Sequence, residues 1–161
     1  MATYIVLHAG YRSGFIPGAE LIFSSKTKNA DYHGEMNLEN FMHWFEYQLL
    51  CNLEEPSTIV MDNASYHSTI KDRVPTTASN KASIMEWLKN KNIPYSKSML
   101  KVQLLSLVAL NKPEPVYVAD ELAERYGHQV LRLPPYHCIF NPIEYVWGIT
   151  KNYCRDHVGK R

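Results

Sequence analysis

The stretch Thr58-Ile-Val-Met-Asp62-Asn-Ala-Ser-Tyr-His67 decides the fold. Its β-branched run ends abruptly in an acid, and nothing apolar continues past Asp62. Asn63, Ser65 and Ser68 are turn formers, so the carboxylate is expected at the mouth of a sheet and not in its core. Open α/β sheets carry out chemistry at the C-terminal ends of their strands.

Upstream, Tyr4-Ile-Val-Leu7 reads as a short strand closed by Gly10, and Glu20-Leu-Ile-Phe-Ser24 as a second, with Gly14-Phe-Ile-Pro-Gly18 as turn chemistry between them. The two predict an antiparallel hairpin. Asn37 is placed to cap a helix with an aromatic face of Leu38, Phe41, Trp44, Phe45 and Leu49. Downstream, Ile84, Trp87 and Leu88 predict a helix ending near Ile93-Pro94. Leu100, Leu104, Leu107 and Val108 predict another, closed by Asn111-Lys-Pro113. Val116–Tyr126 reads as helical, with Gly127 where a left-handed C-cap residue belongs, and Val130–Leu133 as a brief strand stopped by Pro134-Pro135. Asn141-Pro142 opens the last helix, with Ile143, Val146, Trp147, Thr150 and Cys154 along one face. Early strands followed by alternating helices predict an α/β fold with a mixed sheet.

With 161 residues and 45% hydrophobic side chains, the chain suits one core and one domain. A net charge of +1 gives no global basic signature, so any nucleic-acid contact must come from a local patch. Lys71, Arg73, Lys81, Lys89 and Lys91 form the densest basic stretch, and Lys151, Arg155, Lys160 and Arg161 a second. Such residues bind phosphate without reading sequence, although most scattered lysines are simply solvated. Three cysteines with no C-x-x-C spacing fit neither a disulfide framework nor a zinc ribbon, and suit a reduced, intracellular setting. The sequence lacks a membrane-length apolar run and the order of a secretory signal.

Two acids have locally fixed positions: Asp62 at a strand end and Glu144 in the first turn of the last helix. Fixed paired carboxylates suit a hard divalent cation, and two such ions can clamp an in-line phosphoryl transfer. Structural readings weigh about equally. Glu144 is the third residue after Asn141, where a capping-box acid belongs, and Asp62 before Asn63 suits an Asx turn. His67 could serve the site from behind or merely stabilise the turn. The alternation of Asp31, His33 and Glu35 reads better as a solvated loop than as a metal site. Trp44, Trp87 and Trp147 lie on apolar helix faces and read as core.

Asp62-Asn-Ala-Ser-Tyr-His67 and Leu133-Pro-Pro-Tyr-His-Cys-Ile-Phe-Asn-Pro-Ile-Glu144-Tyr-Val-Trp-Gly148 resemble the second and third acid blocks of mariner-like transposases of the DDE endonuclease superfamily. Gly14–Gly18 and Asp31–Asn37 extend the similarity over nearly the whole chain. The resemblance implies a ribonuclease H-like mixed sheet flanked by helices, in which three carboxylates hold two Mg²⁺ or Mn²⁺ ions that cut and rejoin DNA. By position Asp62 and Glu144 match the second and third acids, serving as catalytic and metal-binding residues, with Asn63, His67 and Asn141 as supporting candidates. The first acid has no match. It belongs on a central strand upstream of the one that Tyr4–Leu7 resembles, so the chain reads as truncated at its N-terminus with that strand missing. The strands at Tyr4–Leu7 and Ile59–Met61 would then flank a gap, leaving the chain unstable or aggregation-prone unless they pair antiparallel or accept a strand from a partner. Ile139-Phe140 also departs from the family's Asp-Leu pair. The 82 positions from 62 to 144 exceed the spacing of compact members, pointing to a helical insertion around 99–127.

These implications define a portion of a transposase catalytic domain, inactive as given, with DNA as partner, a possible homodimer, a nuclear location and no membrane association. The other reading is a repurposed, non-catalytic nucleic-acid- or protein-binding module on the same fold.

Overall fold

The structure, a computed structural model, describes residues 4–24 and 36–157. They form two compact units, one built from the parts of the chain up to Thr69 and from Tyr117 onward, the other from Ile70–Val116.

In the first unit β1 (Tyr4–Leu7) pairs antiparallel with β4 (Leu21–Ser24), with Leu7 opposite Leu21. The connection folds into a miniature ladder of β2 (Gly10–Tyr11) and β3 (Gly14–Phe15), where Gly14 takes φ +126, a conformation that side chains strongly disfavour. β5 (Thr58–Met61) pairs in parallel with β6 (Gln129–Arg132), Met61 opposite Arg132. Residues alternate: Ile5, Leu7, Ile59 and Val130 pack against the core, whereas Val6, Val60 and Leu131 are exposed.

The expected single mixed sheet is therefore replaced, among the described residues, by three two-stranded sheets. No ladder joins β1 to β5, so the antiparallel closure of Tyr4–Leu7 on Ile59–Met61 does not form. The two strand pairs share one apolar core, and burial of alternate side chains suffices to hold both against the helices without backbone pairing.

That core is capped by α1 (Leu38–Trp44), whose N-terminal amides are met by the Asn37 side chain, which accepts from Asn40 N–H at 2.8 Å. The predicted single helix is broken into α1, a π turn (Phe45–Leu49) and a 3-10 turn (Leu50–Asn52). In a continuous α-helix Leu50 would point about 180° away from Phe41. The wide turn rotates it inward, and Phe41, Phe45, Leu49 and Leu50 are all buried. Trp44 is buried as well, its indole N–H donating to Ala19 C=O at 2.9 Å.

α4 (Val118–Arg125) starts two residues later than expected and sends Ala119, Leu122 and Ala123 into the same core. It ends as predicted at Gly127, φ +82, with His128 N–H reaching Ala123 C=O and Gly127 N–H reaching Glu124 C=O. A 3-10 turn (Cys138–Phe140) precedes α5 (Ile143–His157), which has no buried residue. Of its predicted inner face, Trp147 is half-buried near Phe15, and Thr150 and Cys154 are exposed.

The second unit pairs α2 (Lys81–Asn90) with α3 (Lys101–Leu110) around buried Ile84, Leu88, Leu104 and Val108. Asn80 caps α2 by accepting from Ser83 N–H at 2.8 Å. Asn92 ends it in the left-handed region at φ 56, just before the predicted stop at Ile93-Pro94. Trp87 packs against this core, as its helical spacing predicts. The insertion expected around 99–127 divides differently: α3 lies in this unit, whereas α4 belongs to the first.

Candidate functional site

Because β5 and β6 run in parallel and in register, their C-terminal ends fall on the same side. Asp62 follows Met61 on one strand and Leu133 follows Arg132 on the other. Two hydrogen bonds clasp the strand ends: Leu133 N–H donates to Met61 C=O at 2.9 Å, and the Asn63 side-chain amide donates to Leu133 C=O. Beyond them opens a cleft of about 320 Å³ lined by residues 62–64 and 134–138.

Asp62 enters this cleft with its side chain 42% exposed and its geometry doubly fixed. Oδ1 accepts from Ala64 N–H at 3.1 Å, an Asx turn, and lies 2.6 Å from His67 Nδ1. His67 is itself only 13% exposed, because its ring packs on Phe41 (centroids 4.6 Å apart) and edge-on to Tyr66 (4.5 Å). The imidazole is thus anchored by the core and presents Nδ1 to the acid. Burial, with the Asp62 charge adding to it, raises the Tyr66 phenol above its ordinary pKa of 10.0. Asp62 is thus an Asx-turn acid that also lines the cleft.

Glu144 sits in the first turn of α5, exposed, six residues beyond the last residue lining the cleft. Its N–H donates to Asn141 C=O at 3.1 Å, and Asn141 Oδ1 accepts from Ile143 N–H at 3.3 Å. Asn141 therefore acts as a helix cap, and Asn63 as the clasp between strand ends. Among the described residues no three His, Cys, Asp or Glu side chains gather as a ligand set, so these residues do not by themselves amount to a two-ion centre. Asp31, His33 and Glu35 lie outside the described residues, as do Lys160 and Arg161.

One cluster was not foreseen from the sequence. Arg132, at the end of β6, donates to Asp120 on α4 and, at 3.3 Å, to Ser68 Oγ, and its guanidinium lies 4.1 Å above the Tyr117 ring. It joins α4 to the loop that carries His67. Asp120 is thereby committed to an ion pair. The available signal was a lone arginine in an otherwise apolar strand, Val130-Leu-Arg-Leu133.

Small sheets braced by helices, with a strand-end acid opening into a cleft, are consistent with an α/β nuclease domain. The chain belongs to the DDE superfamily endonucleases, whose family model matches residues 24–160. Members of this family generally use divalent metal ions and act on DNA, so the chain is a transposase-like nuclease domain. No curated protein and no solved structure matches it. Among the described residues no helix is long and apolar enough to cross a membrane.

Proposed function

We propose that this chain is a portion of a mariner-like DDE transposase catalytic domain, of ribonuclease H-like type, in which Asp62 and Glu144 occupy the second and third acid positions. The observation that carries the reading is Asp62 itself: a half-exposed carboxylate at the end of a parallel strand, fixed by Ala64 N–H and His67. In the intact enzyme two Mg²⁺ or Mn²⁺ ions would supply activation of the attacking oxygen and stabilisation of the leaving one. The described residues bring no third ligand to Asp62, so they do not complete a site for that pair of ions.

What this chain's own residues do is hold and orient. His67, locked against Phe41, fixes the direction of the Asp62 carboxylate, and Asn63 holds the 133–138 segment at the cleft. The resemblance to mariner-like transposases supports a nuclear site of action.

That no ligand set gathers among the described residues also favours a second reading, a repurposed, non-catalytic nucleic-acid- or protein-binding module on the same fold. A nicking assay on supercoiled plasmid with Mg²⁺ or Mn²⁺, run beside a DNA-binding assay, separates the two. Binding without cleavage is the expected result. Robust cleavage abolished by Asp62→Asn would show that another acid completes the site, with Asp31 the first to test.

A further inference from the structure

The net charge of +1 conceals a strong asymmetry. Residues 70–116, the second unit, contain eight Lys and Arg against three Asp and Glu, a net +5, so the remaining residues carry −4.

Nor are the basic residues spread evenly. Lys81 and Lys101 each occupy the first position of a helix, α2 and α3, and neither helix has an acid in its first turn. The helix dipole favours acids there and disfavours lysine, so helix formation alone does not explain the choice. The apolar core of Ile84, Leu88, Leu104 and Val108 is complete without them.

The linker between the helices gathers these lysines. Lys81 Nζ donates to Lys97 C=O at 3.1 Å, and Lys101 Nζ donates to Thr77 C=O at 2.8 Å, so the start of α3 lies beside the turn leading into α2. Carbonyls orient the ammonium groups without neutralising them. None of the unit's three acids falls in the segments 76–81 or 96–101, and Asp72 is held by Lys91 at 3.2 Å, beyond the far end of α2.

We infer that the end of the second unit where α2 and α3 begin, with Lys81, Lys97 and Lys101, is a docking surface for the phosphate backbone of duplex DNA. This surface is distinct from the Asp62 cleft, and its role does not depend on whether the chain cuts DNA. Duplex is favoured over single strands because Trp87 and Tyr95, the unit's two aromatic side chains, pack against its core and offer no platform for unpaired bases. Exposed Leu100 and Val102 beside the lysines make an anionic membrane the competitor to exclude.

The test uses the full chain and a labelled random-sequence duplex, with fluorescence anisotropy across a series of salt concentrations. The triple variant Lys81→Gln/Lys97→Gln/Lys101→Gln should weaken binding at least about tenfold at low salt. It should also flatten the log–log salt dependence by about 0.9 for each phosphate no longer neutralised, roughly 2–3 in all. The control Arg12→Gln/Arg125→Gln, two exposed arginines of the first unit, should change neither. If circular dichroism shows the triple variant unfolded, the single Lys97→Gln in the exposed linker should still flatten the slope by about 0.9. The inference is overturned by an unchanged slope in a folded variant, by an equal loss in the first-unit control, or by no duplex binding by the unaltered chain. Tighter capture by phosphatidylserine vesicles than by duplex would overturn it equally.

Discussion

If His67 holds Asp62 as the geometry indicates, the two side chains must be energetically coupled, and a double-mutant cycle measures that coupling. Asp62→Asn keeps the shape and can still accept from Ala64 N–H, but removes the charge facing His67 Nδ1 at 2.6 Å. His67→Phe keeps the ring contact with Phe41 and removes the nitrogen. A hydrogen bond to a charged group contributes about 1.5–3 kcal/mol. Asp62 is 42% exposed, so solvent screening lowers the expectation to about 1–2 kcal/mol. The cycle needs four proteins, urea unfolding at neutral pH followed by tryptophan fluorescence, and a check that the slope m is shared. With m of about 1–3 kcal/mol/M, the His67→Phe midpoint should fall by roughly 0.3–2 M. The double variant should lose less than the sum of the singles by the coupling energy. A coupling within about 0.3 kcal/mol of zero would refute the claim that His67 fixes the acid, leaving it a core ring that happens to lie nearby.

Three other outcomes test the fold and the site. Gly127→Ala should cost about 1 kcal/mol by thermal or urea unfolding: a left-handed non-glycine residue costs about 1–2 kcal/mol, partly offset by lower unfolded-state entropy. A Cβ there would meet nothing within 4 Å, so the cost comes from the backbone alone, and Gly127→Asn should recover part of it. Since the Tyr66 pKa is raised in the folded state, its contribution is present below pH 10.0 and declines as pH rises through the higher folded value. Unfolding titrations should show an alkaline loss of stability that Tyr66→Phe reduces. Leu104→Ala, at a fully buried position, should cost about 2–5 kcal/mol, read most directly as lost amide-exchange protection in α2 and α3, while β5 and β6 keep theirs because their core is a separate cluster.

By itself, the sequence determined what depends on near neighbours in the chain. The strand ending at Asp62, the hairpin of β1 and β4, the caps at Asn37 and Gly127 and the start of α5 at Asn141 all follow from local rules. Period-2 burial, a side chain reaching an amide two or three residues on and glycine's freedom at positive φ need no distant partner. Tertiary structure decided whatever needed a partner far along the chain. Pairing β5 with β6, 71 positions away in register, brought Leu133 beside Asp62, and packing on Phe41 turned His67 toward the acid. Burial of Leu50 required the helix after Trp44 to widen, which no repeat of apolar residues announces. The same holds for Arg132, whose partners Ser68, Tyr117 and Asp120 lie on a loop and a helix that its own strand neighbours do not specify. It holds too for the lysines at the start of α2 and α3, which are far apart in sequence and meet only because the linker carries the second helix back to the beginning of the first.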